Sequence, residues 1–225
     1  MKVTTDGCLF GAWIANEVRS NRSEVRPVLD IGTGTGLLSL LYAQKNSNSG
    51  IDAIEIDKDS FEQAKENIAA SPWKDRINIF HGDARAFEFS HQYDVIISNP
   101  PFYENELRSE DEKRNIALHS YELSLDELLQ VIQSNLSPSG IFFLLLPYKR
   151  QGEIRKLFQK YQFALSQLIF VRQSVKHDYF RLIVNGRRVD GKLTETLFDE
   201  ISIWNDKQEY TNGFKELLKD YYLYL

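Results

Sequence analysis

The stretch Val28-Leu-Asp-Ile-Gly-Thr-Gly-Thr-Gly-Leu-Leu38 decides the fold of this chain. A short apolar run at 27–31 predicts a buried strand, which leads through a glycine-rich turn into a helix at 37–44. Glycines let the backbone approach a ligand closely, and N–H groups at the start of a helix can bind it. The stretch therefore predicts a ligand-binding turn between a strand and a helix.

The spacing of the glycines distinguishes between ligands. A dinucleotide-binding turn has the pattern G-x-G-x-x-G, whereas the glycines here alternate at Gly32, Gly34 and Gly36. Leu37 stands where the third glycine of that pattern would be. Asp30, just before the turn, repels a pyrophosphate but can hold a cationic ligand that carries an amino acid. The pattern therefore favours S-adenosylmethionine (SAM) over NAD.

A second stretch, Asp94-Val-Ile-Ile-Ser-Asn-Pro-Pro-Phe102, predicts a buried strand that ends in a rigid corner. Two prolines fix successive φ angles and present Asn99 at the carboxyl end of the strand, where α/β sheets bind ligands. Asn99 Oδ1 and the Pro100 carbonyl can each accept one hydrogen of a planar NH2 group, and Phe102 can stack on its ring. An ordinary Pro-Pro turn with no chemical role remains the alternative on these residues alone.

Three further stretches are Thr4-Thr-Asp-Gly-Cys-Leu-Phe-Gly-Ala-Trp13, Ser71-Pro-Trp73 with Arg76-Ile-Asn78, and Leu217-Leu-Lys-Asp-Tyr-Tyr-Leu223. Together with the glycine turn and the Asn-Pro-Pro corner, they resemble the bacterial tRNA1(Val) (adenine-37 N6)-methyltransferases, which are class I SAM-dependent methyltransferases. The resemblance implies transfer of a methyl group from SAM to the exocyclic N6 of an adenine in tRNA. It implies Asn99, Pro100 and Phe102 as the catalytic residues.

The resemblance also implies which residues contact the cofactor. Glu55, roughly 20 residues after the glycines, can accept hydrogen bonds from both ribose hydroxyls. Asp83 and Ala84 follow the third strand, where this fold binds the adenine ring of SAM. Thr5 and Asp6 are candidate contacts near the cofactor, although an Asp-Gly turn that opens a helix is the alternative. The complete predicted set is Thr5, Asp6, Asp30, Gly32, Gly34, Gly36, Glu55, Ile56, Asp83, Ala84 and Asn99.

The order of the predicted elements indicates the fold class. Five alternating β/α units are followed by a hairpin of strands at 163–172 and 179–185. This order predicts an α/β protein with a doubly wound, mostly parallel, seven-stranded Rossmann-like sheet whose last strand is antiparallel, as in class I SAM-dependent methyltransferases. Residues 1–192 are predicted to form the methyltransferase domain. Residues 193–225 are predicted to be an extension that packs on it and ends in a helix at 211–222.

The composition is that of an ordinary globular protein. The 225 residues are 42% hydrophobic and 26% charged, which suits one α/β domain. A single cysteine, Cys8, excludes an internal disulfide and a multi-cysteine metal site. There is no apolar run of the roughly 20 residues that a membrane helix needs, and no signal peptide opens the chain. We expect a cytoplasmic protein without a membrane or metal partner, and a monomer rather than an oligomer.

The charge is unevenly distributed along the chain. The net charge is −5, yet residues 149–192 contain 11 Lys and Arg against three Asp and Glu. A basic segment inside an acidic protein predicts an RNA-binding surface, which we expect at the rim of the sheet near Asn99; scattered solvated charges are the alternative. The residues predicted to contact RNA are Lys149, Arg150, Arg172, Lys176, Arg181, Arg187 and Arg188.

Several interpretations remain open from the sequence. The polar segment 103–121 follows the Asn-Pro-Pro corner and is either a lid over the target base or a solvated loop. The same site can serve another amine, such as guanine N2 of ribosomal RNA or a glutamine amide of a protein. An NAD-dependent oxidoreductase and a SAM-binding protein without catalysis are alternatives of other classes. Members of the resembled family usually carry an additional stretch before Met1, so either this chain is shortened or the protein is short.

Overall fold

A single β-sheet forms the centre of the protein. The computed structural model describes residues 3–18, 26–101, 123–189, 191 and 195–224. In these ranges the sheet has eight strands in the order β3-β2-β1-β4-β5-β7-β6-β8. The strands are β1 (Val28–Ile31), β2 (Ile51–Glu55), β3 (Ile77–His81), β4 (Tyr93–Ser98), β5 (Leu136–Pro147), β6 (Phe163–Ser174), β7 (Tyr179–Arg188) and β8 (Leu197–Trp204).

The sheet is mostly parallel. Strand β7 lies between β5 and β6 and runs antiparallel to both, whereas the other described strands point in one direction. The prediction of a doubly wound, mostly parallel sheet with an antiparallel last strand of the hairpin is therefore confirmed. The predicted number of seven strands is wrong, because the C-terminal segment adds β8.

Strand β8 pairs in parallel with β6, from Leu197 opposite Gln167 to Trp204 opposite Ser174. Its first four residues are exposed, and two of them are the acidic Asp199 and Glu200. An edge strand that buries so little has no strong alternation of apolar and polar residues, which is why the sequence does not reveal it. The predicted boundary between residues 192 and 193 stays a prediction, although β8 continues the same sheet.

Helices cover both faces of the sheet. The described helices are α1 (Thr5–Glu17), α2 (Leu37–Lys45), α3 (Lys58–Ala69), α4 (Leu125–Asn135), α5 (Gln151–Lys160) and α6 (Asn212–Leu218). The core on one face draws buried residues from α1, α2, α3 and α6, and the core on the other face draws them from α4 and α5. Among the described residues, no helix is long and apolar enough to cross a membrane.

Polar side chains cap the starts of four helices by accepting backbone N–H groups. The Ser124 hydroxyl accepts the backbone N–H of Glu127, and the Glu127 carboxylate accepts the N–H of Ser124, which forms a capping box for α4. Thr4, Asp57 and Thr211 accept backbone N–H groups at the starts of α1, α3 and α6. Each such cap contributes about 1 kcal/mol to stability.

The strand register places two chain turns next to each other. Ile31, the last residue of β1, pairs with Ser98, the last residue of β4. The Ser98 hydroxyl donates to the carbonyl oxygen of Ile31 at 2.8 Å and ties the two strand ends together. The residues that follow these strands, Gly32 and Asn99, therefore lie side by side at the carboxyl edge of the sheet.

Candidate active site

The turn after β1 leaves room beside its backbone. Gly32, Gly34 and Gly36 have φ angles of +68°, +60° and +83°, a region that side chains rarely adopt. A Cβ added at Gly32 would meet nothing within 4 Å, and Gly32 borders a cavity. Glycine is needed here for the conformation, and at Gly32 it also lets a ligand lie directly against the backbone.

Asp30 lies buried beneath this turn. The hydroxyls of Thr33 and Ser39 donate to Asp30 Oδ2 at 2.6 and 2.7 Å. Asp30 Oδ1 has no hydrogen-bond partner among the described residues. Burial, which outweighs these hydrogen bonds, raises the pKa of Asp30 to about 6, and the negative charge of Glu55 acts in the same direction. Asp30 therefore fixes the turn through Thr33 and leaves one buried carboxylate oxygen without a hydrogen bond, while its contact with SAM stays a prediction.

We expect the affinity for SAM to rise with pH between about pH 5 and pH 7. A cationic ligand stabilises the Asp30 carboxylate, so binding at pH 5 requires loss of the Asp30 proton, whereas at pH 7 the group is already charged. Below the pKa of Asp30, the affinity should increase by up to about tenfold for each unit by which the pH rises. Calorimetry in two buffers of different ionisation enthalpy measures the released proton directly. Asp30→Asn should remove this pH dependence, and a pH-independent affinity of the unchanged protein would contradict the assignment.

Glu55 supports the turn from the end of β2. Its Oε2 accepts the N–H of Gly34 at 2.8 Å, and its Oε1 accepts the N–H of Asp57 at 2.9 Å. Each carboxylate oxygen has a second lone pair for a ligand hydroxyl. The ribose contact of Glu55, and the contact of Ile56 that follows it, stay predictions. The support of Gly34 is a second role that the sequence does not reveal.

Asp83 and Ala84 follow β3 at the same edge of the sheet. The Arg85 side chain donates to both oxygens of Asp83, from Nε to Oδ1 at 3.0 Å and from Nη2 to Oδ2 at 2.7 Å. These hydrogen bonds keep the pKa of Asp83 below its ordinary value. Arg85 also donates to Glu127 of α4. Asp83 is thus held in place as a carboxylate, and its predicted contact with the adenine ring is not tested by this geometry.

A cavity of about 280 Å³ lies between the glycine turn and the Asn-Pro-Pro corner. Its wall includes Asp6, Gly32, Thr33, Asn99, Pro100 and Arg181. The first turn of α1 faces the corner, since a Cβ added at Gly7 would lie 3.8 Å from Asn99 Nδ2. The predicted SAM turn and the predicted amine-binding corner therefore face one cavity. Phe102 and the predicted lid at 103–121 lie outside the described residues.

An ion pair forms another part of the cavity wall. Arg181 Nε donates to Asp6 Oδ2 at 2.8 Å, and the side chain of Asp6 is only 13% exposed. Burial by itself would raise the pKa of Asp6, but hydrogen bonds with Thr4 and Arg181 outweigh it and lower the pKa. The sequence assigns Asp6 to the cofactor and Arg181 to RNA, and the structure joins the two. Thr5 is exposed and does not border this cavity.

The seven basic residues predicted to contact RNA do not lie at one edge of the sheet. Arg181 pairs with Pro147 at the end of β5, whereas Arg187 pairs with Ala164 near the beginning of β6. Six residues of a strand span about 20 Å, so Arg187 and Arg188 lie toward the opposite, amino edge. The expectation that all seven converge near Asn99 is therefore wrong. The antiparallel direction of β7, which the sequence does predict, is the signal that separates the two groups.

Arg188 has a structural role instead. Its Nη2 donates to the carbonyl oxygens of Gln133 at 2.5 Å and Leu136 at 2.9 Å. These carbonyls lie at the end of α4, where a helix leaves its last acceptors unsatisfied. The remaining five basic residues follow β5, end β6, or lie in and after the hairpin turn, all at the carboxyl edge. They are Lys149, Arg150, Arg172, Lys176 and Arg181.

The fold and the arrangement of the site are those of a class I SAM-dependent methyltransferase. The model of the methyltransferase small domain family matches residues 13–164. The structure is similar to that of a predicted O-methyltransferase, protein Atu636 from Agrobacterium tumefaciens, with a TM-score of 0.73, 14% identity and 95% coverage of both chains. It is also similar to the glycopeptide N-methyltransferase MtfA in complex with SAM, with a TM-score of 0.60 and 14% identity over 82% of this chain and 95% of that chain. At such identities these structures show the fold.

Comparison with curated sequences gives the family. The chain is 38% identical to the tRNA1(Val) (adenine(37)-N6)-methyltransferase of Dyadobacter fermentans, over 99% of this chain and 91% of that protein. It is 35% identical to the protein of the same name from Aliivibrio salmonicida, with the same coverage. The chain belongs to this family of methyltransferases. The resemblance stated from its sequence motifs is thereby confirmed.

The glycine turn and the two carboxylates packed against it fit SAM, the cofactor of this class. The open space beside Gly32 accommodates a ligand against the backbone. The unpaired Oδ1 of Asp30 and the second lone pairs of Glu55 are acceptors suited to a ligand that carries an ammonium group and ribose hydroxyls. The glycine turn, Asp30 and Glu55 would hold SAM, which supplies an activated methyl group when it is bound.

Proposed function

We propose that this protein methylates the exocyclic N6 of adenine 37 in tRNA1(Val), with SAM as the methyl donor. The observation that carries the proposal is one cavity whose wall includes both Gly32 and Asn99. The predicted SAM turn and the predicted amine-binding corner therefore border the same space. The match to relatives of that name over nearly the whole chain supports adenine as the acceptor. A tRNA acceptor places the reaction in the cytoplasm.

Asn99 and Pro100 are the residues that act on the acceptor. Asn99 Oδ1 and the carbonyl oxygen of Pro100 each accept one hydrogen of the N6 amine. Two such hydrogen bonds draw the nitrogen lone pair out of conjugation with the ring and direct it away from both acceptors. N6 forms its new bond to the methyl carbon through this lone pair, the donor's sulfonium sulfur would keep the electron pair of the bond that breaks, and N6 releases one proton to water. The contribution of the protein is mainly to align the reacting groups, which can supply a large part of the rate enhancement.

The corner is held rigid so that this alignment costs little at the moment of reaction. The Ser98 hydroxyl fixes the end of β4 to β1, and Pro100 and Pro101 restrict the backbone that follows. The target adenine must leave its base stack to reach Asn99. Phe102, whose role rests on the sequence motif, offers a flat surface for the extruded ring.

Transfer of labelled methyl groups tests this function. The protein is incubated with labelled SAM and, separately, with an unmodified tRNA1(Val) transcript, ribosomal RNA and a protein extract. Digestion and mass spectrometry then identify the modified nucleoside or amino acid. We expect label in N6-methyladenosine of the tRNA. Label in N2-methylguanosine or in methylglutamine would contradict the proposal and assign the same site to another amine.

A further inference from the structure

Four aromatic side chains form a continuous surface beyond the cavity. They are Tyr148, directly after β5, Phe170 on β6, Tyr179 at the start of β7, and Phe198 on β8. The ring centroids are 5.6 Å apart for Tyr148 and Tyr179, and 5.2 Å apart for Phe170 and Tyr179. Phe170 and Phe198 stack with centroids 6.4 Å apart and planes 8° apart. We call these four residues the aromatic shelf.

The aromatic shelf is open to solvent at both ends. Tyr148 is 37% exposed and Phe198 is 57% exposed, while Phe170 and Tyr179 between them are half-buried. Exposed aromatic rings that form one contiguous surface indicate a binding site, because their burial by a partner is favourable and their exposure is not. Phe170 packs against the core, but the two outer rings, Tyr148 and Phe198, remain accessible to a partner.

Cationic side chains flank the aromatic shelf. Arg172 Cζ lies 5.7 Å from the ring centroid of Tyr179, and Arg155 Cζ lies 5.9 Å from that of Phe198. The carboxylate nearby, Glu200, accepts hydrogen bonds from Arg172 and from the Tyr179 hydroxyl, so the arginine balances its charge. Aromatic rings combined with arginine and lysine are the surface on which unpaired nucleotides stack, with their phosphates bound by the cations.

The aromatic shelf begins beside the cavity of the active site. Tyr148 directly follows Pro147, which pairs with Arg181 between β5 and β7. Arg181 in turn lines the cavity with Asn99. From this carboxyl edge the rings continue along β6 and β8 on the face that carries α5. A strand of nucleotides with one base in the cavity would therefore reach the aromatic shelf with its neighbours.

We propose that the aromatic shelf binds unpaired nucleotides adjoining the target adenine, with bases stacked on Tyr148 and Phe198 and a phosphate near Arg155. This inference rests on the proposed function, because it takes tRNA as the substrate. An adenine that leaves the stack of a tRNA loop deprives its neighbours of stacking partners. The aromatic shelf replaces those partners with protein rings and so favours the extruded state of the base.

Substitutions in the outer rings test the proposal. Tyr148→Ala and Phe198→Ala should each weaken binding of an unmodified tRNA1(Val) transcript by at least about fivefold, the lower end of the usual effect of removing a stacking ring. KM for the tRNA should rise, and the Kd for SAM should stay unchanged. Tyr148→Phe and Phe198→Tyr retain a stacking face and should keep the affinity. Tyr224→Ala is the matched control, since Tyr224 is 90% exposed and lies after α6.

The salt dependence of binding tests the cations separately. Arg155→Gln should reduce the slope of log affinity against log salt by about 0.7 if it neutralises one phosphate of an unpaired strand. Lys65→Gln, which removes an exposed cation on α3 at the other end of the sheet, is the control and should leave the slope unchanged. Unchanged slopes for both variants would show that Arg155 does not bind a phosphate of the tRNA.

The outcomes separate this inference from the proposed function. If the unchanged protein methylates tRNA and both ring-to-alanine variants bind tRNA with unchanged affinity, the aromatic shelf is not an RNA site and the proposed function stands. If the unchanged protein transfers no methyl group to tRNA, the proposed function fails and the shelf assignment fails with it. Thermal unfolding and SAM binding of each variant establish that it is folded.

Discussion

Replacement of Asn99 with alanine is expected to lower kcat for methylation of tRNA by at least about 100-fold, the usual effect of removing one donor or acceptor that acts on the reacting group. Asn99 borders the cavity at the end of β4, and in the proposed function its amide oxygen acts on the acceptor amine. The affinity for SAM should change by less than about 1 kcal/mol, because the glycine turn, Asp30 and Glu55 are predicted to provide most of the cofactor contacts. Single-turnover methylation and calorimetry with SAM measure the two quantities.

Asn99→Asp is the informative companion variant. A carboxylate of nearly the same shape keeps an oxygen acceptor at the same place, so this variant should retain more activity than Asn99→Ala. The comparison distinguishes loss of an acceptor from loss of packing at the corner. Turnover of Asn99→Ala at the level of the unchanged protein would show that the amine is held elsewhere.

The second large effect is expected at Gly34. Its φ angle is +60°, and its N–H donates to Glu55 at 2.8 Å. A β-branched residue in this region is strained by about 1–3 kcal/mol, and relief of that strain would move the turn away from Glu55. Gly34→Val should therefore weaken SAM binding by at least about tenfold, as measured by calorimetry.

A second glycine provides the control for this substitution. Gly152 lies in α5, and a Cβ added there would meet nothing within 4 Å. Gly152→Val should bind SAM as the unchanged protein does. If a Gly34→Val protein is folded and binds SAM with unchanged affinity, the turn after β1 is not part of the cofactor site.

The fold was predictable wherever burial is strong on both faces of the sheet. Strand β1 is buried at every position, and Ser124 is a recognisable cap at the start of α4. Strand β8 was not predictable, because it lies at the edge and exposes its first half. Its pairing with β6 depends on a neighbour far away in the sequence, which local periodicity does not reveal.

The site was predictable in part because the carboxyl ends of parallel strands meet at one edge. That rule brings Gly32 and Asn99 together, as the structure shows. The same rule places Arg181 and Arg187 at opposite edges of the sheet. This follows only when each residue of β7 is assigned to an edge from the antiparallel direction of that strand. The pairing of Arg181 with Asp6, and the support of Asp30 by Thr33, depend on side-chain packing that motifs do not encode.

The most direct test is methyl transfer to two tRNA1(Val) transcripts that differ at one base. One transcript carries adenine at position 37, and the other carries guanine there. Labelled SAM, the protein and each transcript are incubated under the same conditions, and the labelled position is mapped by nuclease digestion and mass spectrometry. We expect N6-methyladenosine at position 37 of the first transcript and no label in the second. Equal labelling of both transcripts, or none in either, would contradict the proposed function.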